Sequence, residues 1–452
     1  MLEKFKNIMS IPELRKRIGF TLAILIIVRL GAHVPVPGIN VDAISEAFKQ
    51  YSNTLFGLYD LFSGGAFQKA TLFALGIMPY ISSSIIIQLM GVVVPYFQRL
   101  QKEGEEGRKK ITQITRYGTV LISTLQAYGI SVFLESLDSV TVGNQLMQVV
   151  PDDFAGFRFI AVVSLVTGTI FIMWLGEQIT ERGIGNGISL IIMIGIVARI
   201  PMMILTEIDL IQNDLRGPLT EVVLMGIMVV IVGFVVLITQ GTRKIPVQYA
   251  KRVVGRKVYG GQSTHIPMRV NTAGVMPIIF AQAIMFIPVT ILQYTAGGGE
   301  EASASASWLI TVFSDIQGFW YNFFFAVMII LFTYFYTAIA FDPVQVSTTM
   351  KQQGGFIPGV RPGKKTAEFI DNILTRVTLP GSFSLAFIAI FPYILMQIMD
   401  IDFNLASFFG GTSLLIVVGV GLDTIQQIES HLMMRHYDGF LSKGRIRGRR
   451  RM

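Results

Sequence analysis

Four histidines are the first residues in this sequence that could hold a metal or act in acid–base catalysis: His33, His265, His431 and His436. The last two are five residues apart, so they do not share a helix face at the i, i+4 spacing of a metal site on one helix. No HExxH motif occurs and the chain has no cysteine. Thiolate ligands, cysteine nucleophiles and disulfides are therefore excluded. We expect neither a metal centre nor a cofactor.

The stretch 359–366, GVRPGKKT, is superficially similar to a phosphate-binding loop. That motif places four residues between its first glycine and its Gly-Lys-Ser/Thr end. Here only three residues separate Gly359 from Gly363. We therefore expect no nucleotide hydrolysis by this route, and any work done must draw its energy from a partner or a gradient.

The elements that must position any functional residue are strongly apolar. The chain is 52% hydrophobic and 15% charged, whereas soluble domains have about 25% charged residues. Long uncharged runs of continuous rather than alternating hydrophobicity lie between clusters of charge. A helix needs about 20 mostly apolar residues to cross a bilayer, and a barrel would need alternation. The sequence therefore predicts an all-α integral membrane protein.

Ten membrane spans are predicted, five in each half of the chain. An odd number per half inserts the second half upside down relative to the first, and such inverted halves enclose a site or path between them. The predicted parts are an N-terminal half at 1–206, an external hinge loop at 207–218, a C-terminal half at 219–433 and a basic tail at 434–452. The predicted spans are 18–37, 71–94, 114–135, 154–176, 185–206, 219–240, 272–294, 320–341, 375–398 and 407–433.

The distribution of lysine and arginine predicts the orientation of these spans. With both termini in the cytoplasm, most of the 37 basic residues fall in the termini and cytoplasmic loops. The outer loops carry only Lys49, Lys69 and Arg216. Basic residues concentrate on the cytoplasmic side of membrane proteins. The net charge of +8 is therefore mostly a sign of topology.

Two cytoplasmic loops are longer than a connection requires. In 241–271, apolar residues alternate at Val247 and Tyr249 and a Gly-Gly pair follows Val258, which predicts a basic β-hairpin. In 342–373, the density of glycine and proline predicts a rigid loop rich in turns.

The stretch 73–90, FALGIMPYISSSIIIQLM, combines an apolar row with polar residues. Ile77 and Ile81 are one turn apart, and Ile188 and Ile192 repeat that spacing. Within one helix over 71–94, Pro79 would leave the carbonyl of Leu75 without its helical partner. Isoleucine in a membrane helix commonly packs or faces lipid, yet the adjoining serines favour a face toward protein or water. Two interpretations remain: a packing row, or a water-filled path with a dry constriction.

Six long blocks of this chain resemble the bacterial SecY family of protein-conducting channels. The resemblance covers nearly the whole chain except the outer loops around 136–152 and 296–307 and the arginine-rich tail. The blocks are FSGGAFQKATLFALGIMPYISSSIIIQLM, GRKKITQITRYGT, WLGEQITERGIGNGIS, GGQSTHIPMRVNTAGVMP, GFIPGVRPGKKTAEFI and FFGGTSLLIVV.

The resemblance implies ten helices in two inverted five-helix halves around a central hourglass pore. A plug helix over about 55–70, with Phe62, Ser63, Gly64, Gly65, Ala66 and Phe67, would block the outer vestibule. The implied constriction is a ring of six isoleucines: Ile77, Ile81, Ile188, Ile192, Ile279 and Ile416.

The resemblance also implies a lateral gate, which opens between spans 2–3 and spans 7–8. Polar residues near this seam would bond across it when it is shut, namely Ser82, Ser83, Gln88, Asn186 and Gln282. Secretory chains would cross the membrane, and signal and transmembrane helices would leave sideways into lipid.

The partners implied by the resemblance are SecE, SecG, the SecA ATPase, the ribosome, and signal peptides with the nascent secretory or membrane proteins that carry them. Anionic lipids are a further partner of the basic tail. The implied location is the bacterial cytoplasmic membrane. Contacts with the motor or the ribosome are implied at Arg256, Lys257, Arg361 and Tyr437.

Two other classes remain as alternatives. A secondary transporter also has inverted halves, but would place ionisable residues at the midplane. Arg29 is the clearest charge within a predicted span, and acidic partners are missing from the spans. An intramembrane enzyme would need a catalytic constellation, for which the sequence offers no candidate.

Overall fold

The computed structural model describes residues 11–443, apart from 50–54, 138–139, 143–144, 152–155, 214–215, 250–251, 255–256, 260–262, 286–316, 400, 402–404 and 407–410. Helices make up most of it, as the sequence predicts. In chain order they are α1 Pro12–Gly31, α2 Val41–Lys49, α3 Leu55–Ser63, α4 Met78–Val93, α5 Pro95–Lys102, α6 Glu105–Ser136, α7 Phe157–Arg182, α8 Gly187–Val197, α9 Ile200–Gln212, α10 Pro218–Gln240, α11 Met276–Met285, α12 Phe319–Ala340, α13 Pro343–Gln352, α14 Lys364–Met399 and α15 Gly411–Lys443.

The described strands are short and lie outside the predicted spans. They are β1 Val140–Val142, β2 Gln145–Met147, β3 Thr242–Tyr249, β4 Arg252–Val254, β5 Lys257–Tyr259, β6 Ser263–Arg269 and β7 Gly355–Phe356.

Seven described helices or continuous helix pairs are long and apolar enough to cross a membrane: α6, α7, α8 with α9, α10, α12 with α13, α14 and the first part of α15. An eighth is added if α4 and α5, which bend by 98° around Pro95, count as one span. The first predicted span corresponds to α1, which begins with the basic residues Arg15, Lys16 and Arg17. The seventh is described only as the short α11. The chain is thus a multi-pass membrane protein, and the count of ten spans stays a prediction.

The chain divides into two compact units. The first comprises Met1–Tyr51, Phe56–Pro201 and Val420–Met452, and the second comprises Ser52–Leu55 and Met202–Gly419. The boundary between the two units therefore follows Pro201, within the fifth predicted span. The end of α15 belongs to the first unit, where the side chain of Gln427 accepts a 2.9 Å hydrogen bond from the amide of Gly185.

Small residues allow the backbones of the first unit to approach closely. A Cβ atom on Gly168 of α7 would lie 1.9 Å from the carbonyl oxygen of Leu72. A Cβ atom on Gly187 of α8 would lie 2.0 Å from the carbonyl oxygen of Gly176. Membrane helices have no hydrophobic driving force between them, so close packing of small residues stabilises their association.

The second unit contains a buried aromatic contact between α12 and α14. Tyr321 and Phe325 of α12 are both buried, with ring centroids 6.0 Å apart. Tyr321 also meets Tyr393 of α14 edge to face at 6.4 Å. The packing of these rings holds α12 against α14.

A three-stranded antiparallel sheet in the order β6-β3-β7 connects the two long loops. Ile245 and Val247 of β3 are buried against Ile370 and Leu374 of α14. The hairpin predicted in 241–271 is confirmed by the pairing of β3 with β6 and by the smaller pair β4–β5. The prediction of a turn-rich loop at 342–373 is only partly correct, because Asp342 accepts backbone hydrogen bonds that begin helix α13.

Candidate functional site

The first unit contains four of the six predicted ring residues. Ile77 immediately precedes α4, and the amide of Ile81 donates to its carbonyl at 3.1 Å. Ile188 and Ile192 lie one turn apart in α8. Ile77, Ile81 and Ile192 are buried, with 3%, 4% and 1% exposure, and Ile188 is partly buried. Three of these side chains are therefore shielded from solvent, and the fourth is partly shielded.

The other two ring residues lie in the second unit. Ile279 of α11 is 2% exposed and Ile416 of α15 is fully buried. The two helices approach each other nearby, since a Cβ atom on Gly419 would lie 2.7 Å from a methyl carbon of Val275. The convergence of all six isoleucines into one ring stays a prediction.

The short helix predicted over about 55–70 is present as α3, which ends at Ser63. Gly64 and Gly65 follow with φ angles of +69° and +87°, a left-handed conformation that glycine adopts without steric cost. The chain then continues in turns to Ile77. We call residues 55–70 the plug segment, and its function as a plug stays a prediction.

The plug segment is packed into the first unit by its aromatic side chains. Phe62, Ala66 and Phe67 are buried. The ring of Phe67 meets Phe48 edge to face at 5.1 Å and Tyr59 at 5.0 Å. Phe67 thus contacts Tyr59 within the plug segment and Phe48 outside it.

Helix α4 begins later than the sequence predicts, at Met78 rather than near residue 71. Pro79 therefore lies in the first turn of the helix, where proline is well tolerated. The carbonyl oxygen of Leu75 accepts a 2.8 Å hydrogen bond from the buried hydroxyl of Tyr59. The expectation that Pro79 weakens a longer helix is therefore wrong. Pro79 lies in the first turn of α4, and Tyr59 of the plug segment donates to the carbonyl of Leu75.

Two polar residues of α4 that were expected at the seam bond within their own unit. Ser83 is 1% exposed, and its hydroxyl donates to the carbonyl oxygen of Thr115 in α6 at 2.8 Å. The side-chain amide of Gln88 donates to Ser84 at 3.1 Å within α4, while Ser82 is partly buried. The expectation that Ser83 bonds across the seam is therefore wrong, because its hydroxyl faces α6.

The remaining seam residues differ from each other. The side-chain oxygen of Asn186 accepts from the amides of Ile188 and Ser189, at 3.1 and 3.4 Å, and so caps α8. Gln282 of α11 is 1% exposed, and its amide atoms have no hydrogen-bond partner among the described residues. The gate function of these residues stays a prediction.

Arg361 lies exposed in the loop between β7 and α14. The carbonyl oxygen of Arg361 accepts from the hydroxyl of Thr366 at 2.9 Å, and the carbonyl of Gly363 accepts from Ser347 at 2.7 Å. The loop is thus fixed to α13 and α14 by side-chain hydrogen bonds. Lys257 lies in β5 and Tyr437 in α15, whereas Arg256 lies outside the described residues.

The structure also contains a charged cluster that the sequence reasoning missed. Asp60 of α3 and Arg199, just after α8, form an ion pair with an N–O distance of 3.2 Å. Arg29 of α1 donates to the carbonyl oxygen of Gly64 at 3.2 Å. The sequence places no acidic residue within the spans beside these arginines, and the partner of Arg199 is Asp60, which lies outside the predicted spans. A charge within an apolar segment was the signal that could have found it.

The comparisons with known proteins agree with this architecture. A SecY family profile matches residues 71–425. A relative described as protein translocase subunit SecY, from Streptomyces scabiei, is 43% identical over 444 residues, which cover 98% of this chain and 100% of the relative. The Escherichia coli K12 protein of the same description is 44% identical over 444 residues and covers 97% and 96%.

Solved structures share the fold at low sequence identity. One described as "The structure of a protein conducting channel" aligns with a TM-score of 0.64 at 14% identity and covers 96% of this chain and 95% of the other. A Sec61 channel from a canine ribosome–channel complex aligns with a TM-score of 0.58. Together, the profile match over most of the chain and the full-length identity above 40% show that this chain belongs to the SecY family.

Proposed function

We propose that this chain is the pore-forming subunit of a protein translocase. It passes unfolded secretory polypeptides across the membrane. It also releases signal and transmembrane helices into lipid between spans 2–3 and spans 7–8. The observation that carries the proposal is the family membership of a chain whose six ring positions are all isoleucine, five of them buried and one, Ile188, partly buried.

The isoleucine ring suits a seal that must open for any sequence. Water does not readily fill a short apolar constriction, so ions are excluded by dewetting. Isoleucine is stiff at χ1 because it is branched at Cβ, and its side chain forms no directional bonds with a passing chain. A constriction lined by hydrogen-bonding groups would bind some substrate sequences more strongly than others, whereas an apolar constriction does not discriminate in this way.

The energy for lateral release comes from the substrate. Each central Leu, Ile, Phe or Val of a signal helix gains about 0.3–0.6 kcal/mol on entering lipid. A hydrogen bond between membrane helices contributes about 0.6 kcal/mol on average. A helix with several such residues therefore outweighs a few polar contacts along the seam.

Transport across the membrane needs an external motor, since the phosphate-loop spacing of 359–366 is wrong for nucleotide hydrolysis. In this proposal SecA or the ribosome docks on the sheet β6-β3-β7 and the Arg361 loop, and SecE and SecG complete the complex. The protein lies in the bacterial cytoplasmic membrane with both termini in the cytoplasm. The placement of basic residues supports this orientation.

Reconstitution tests the proposal directly. The chain is purified with its natural SecE and SecG and inserted into vesicles, and SecA, ATP and an unfolded secretory precursor are added. We expect ATP-dependent protection of the precursor from external protease, and the same precursor without its signal peptide serves as control. Absence of protection, with the complex correctly inserted, would refute the proposed function.

A further inference from the structure

The ion pair between Asp60 and Arg199 is buried at its carboxylate end and partly buried at its guanidinium end. The side chain of Asp60 is 4% exposed and that of Arg199 is 19% exposed. A buried charge that loses its partner is strongly destabilised, because the protein cannot solvate it as water does. The pair therefore favours any arrangement of the plug segment that keeps Asp60 beside Arg199.

The same carboxylate also organises the turn of the plug segment. Oδ1 of Asp60 accepts from the backbone amide of Gln68 at 2.8 Å. The hydroxyl of Ser63 donates to the backbone carbonyl of Asp60 at 3.0 Å and lies 3.5 Å from Oδ1. The hydroxyl of Ser63 in turn accepts from the amide of Phe67 at 3.1 Å. One oxygen thus shapes the turn while the other binds Arg199, so the turn and its attachment are coupled.

Two further contacts attach the segment to the same surface. Gly195 lies in α8 one turn before Arg199, and its backbone meets that of Gly64. A Cβ atom on Gly64 would lie 2.7 Å from the Cα of Gly195 and 2.6 Å from a guanidinium nitrogen of Arg29. Arg29 donates to the carbonyl of Gly64. The segment is therefore held by an ion pair, a backbone contact and a hydrogen bond to α1.

We propose that Asp60, Arg199 and Arg29 are positioning residues that latch the plug segment onto α1 and α8, so that separation of Asp60 from Arg199 is a required step in opening. This inference rests on the proposed function, because it assumes that the segment moves when a polypeptide passes. The partly buried ion pair is the charged part of an attachment that also includes the contact between Gly64 and Gly195 and the hydrogen bond from Arg29.

The test uses the absence of native cysteine. Ala66 is fully buried in the plug segment, so an Ala66→Cys variant of the whole complex reports its exposure through the rate of labelling by a maleimide. We expect Asp60→Asn and Arg199→Gln each to accelerate labelling by about tenfold or more, a shift equivalent to roughly 1.4 kcal/mol. The double variant should label no faster than the faster single variant, because the two residues act through each other.

Two controls keep this experiment interpretable. Glu135→Gln removes the exposed ion pair between Glu135 and Arg158, and we expect it to leave labelling of Cys-substituted Ala66 unchanged. A cysteine at Ala389, which is buried in the second unit, reports general unfolding and should stay protected in every variant.

The outcomes separate the latch from the proposed function. If the wild-type complex translocates a precursor but Asp60→Asn and Arg199→Gln leave the labelling rate unchanged, the latch is overturned and the proposed function is not. Additive acceleration in the double variant would also overturn the latch. A wild-type complex that fails to translocate would overturn the proposed function, whatever the labelling rates.

Discussion

Gly64 and Gly65 are neighbours with the same kind of backbone and different surroundings. Both have positive φ angles, so any side chain at either position strains the backbone. A Cβ atom at Gly64 would clash with Arg29 and Gly195, whereas nothing lies within 4 Å of one at Gly65. Comparing an alanine substitution at Gly64 with one at Gly65 therefore distinguishes the effect of backbone strain from that of a steric clash, which occurs only at Gly64.

We predict that Gly64→Ala raises the labelling rate at Ala66→Cys well beyond the effect of Gly65→Ala. Strain alone corresponds to about 1 kcal/mol, and overpacking adds about 1–3 kcal/mol, so Gly64→Ala should be the faster by roughly tenfold or more. The two variants are compared in the same reconstituted complex. Equal labelling rates in the two variants would mean that the contact of Gly64 with Gly195 and Arg29 does not help to hold the plug segment in place.

Sequence reasoning named most residues of the candidate site and few of its bonds. The four-residue spacing of Ile77 with Ile81, and of Ile188 with Ile192, is visible in the sequence, whereas the plug segment was implied only by the family resemblance. The partner of Ser83 is not, because Thr115 lies 32 residues away on α6. Likewise, Asp60 and Arg199 become neighbours only when α3 packs against the end of α8. Such pairs depend on tertiary packing that single-sequence patterns do not encode.

Some helices could be predicted from the sequence with accurate bounds, and others could not. Long apolar helices such as α10 and α12 were recognised because continuous hydrophobicity is a strong signal. The start of α4 was placed too early, since residues 72–77 form turns, in which the carbonyl of Leu75 accepts from the hydroxyl of Tyr59. Helix α13 was hidden by the glycines that follow it, although Asp342 provides a recognisable N-cap.

The close contact between α7 and the turn before α4 gives a prediction for a whole element. Gly168→Ala would place a methyl group 1.9 Å from the carbonyl oxygen of Leu72, so the helix must shift, at a cost of about 1–3 kcal/mol. A methyl group added at Gly226 of α10 would have no atom within 4 Å among the described residues. Gly226→Ala should therefore be neutral or stabilising by up to about 1 kcal/mol.

Thermal unfolding of the complex in detergent checks this comparison. We expect a lower midpoint temperature for Gly168→Ala and an unchanged or higher one for Gly226→Ala. A reversed order would show that packing at Gly168 is loose.

The Arg361 loop gives a second prediction at this scale. Its backbone is fixed by bonds to Ser347 and Thr366, while the side chain of Arg361 is exposed. We predict that Arg361→Glu abolishes SecA-driven transport but leaves assembly with SecE and SecG intact. Lys351→Glu, an equal charge change at an exposed position of α13, should reduce transport less. Normal transport by the Arg361→Glu complex would remove this residue from the motor contact.

At the scale of the whole molecule, the account depends on a seal that excludes ions without specific bonds. The described spans supply long apolar helices, and five of the six ring positions are buried while Ile188 is partly buried. The ion pair of Asp60 with Arg199 and the ring contact of Phe67 with Phe48 attach the plug segment to the first unit. The seal itself is assigned to the isoleucines, because dewetting requires an apolar lining.

The conductance of single complexes in planar bilayers shows whether the isoleucines form the ion seal. We predict that the double variant Ile81→Ser with Ile192→Ser leaks ions at rest, because hydroxyl groups let water fill the constriction. Ile26→Ser, at a position of α1 that is 60% exposed, should leave the resting conductance unchanged. A double ring variant that stays as tight as the Ile26→Ser control would contradict the account.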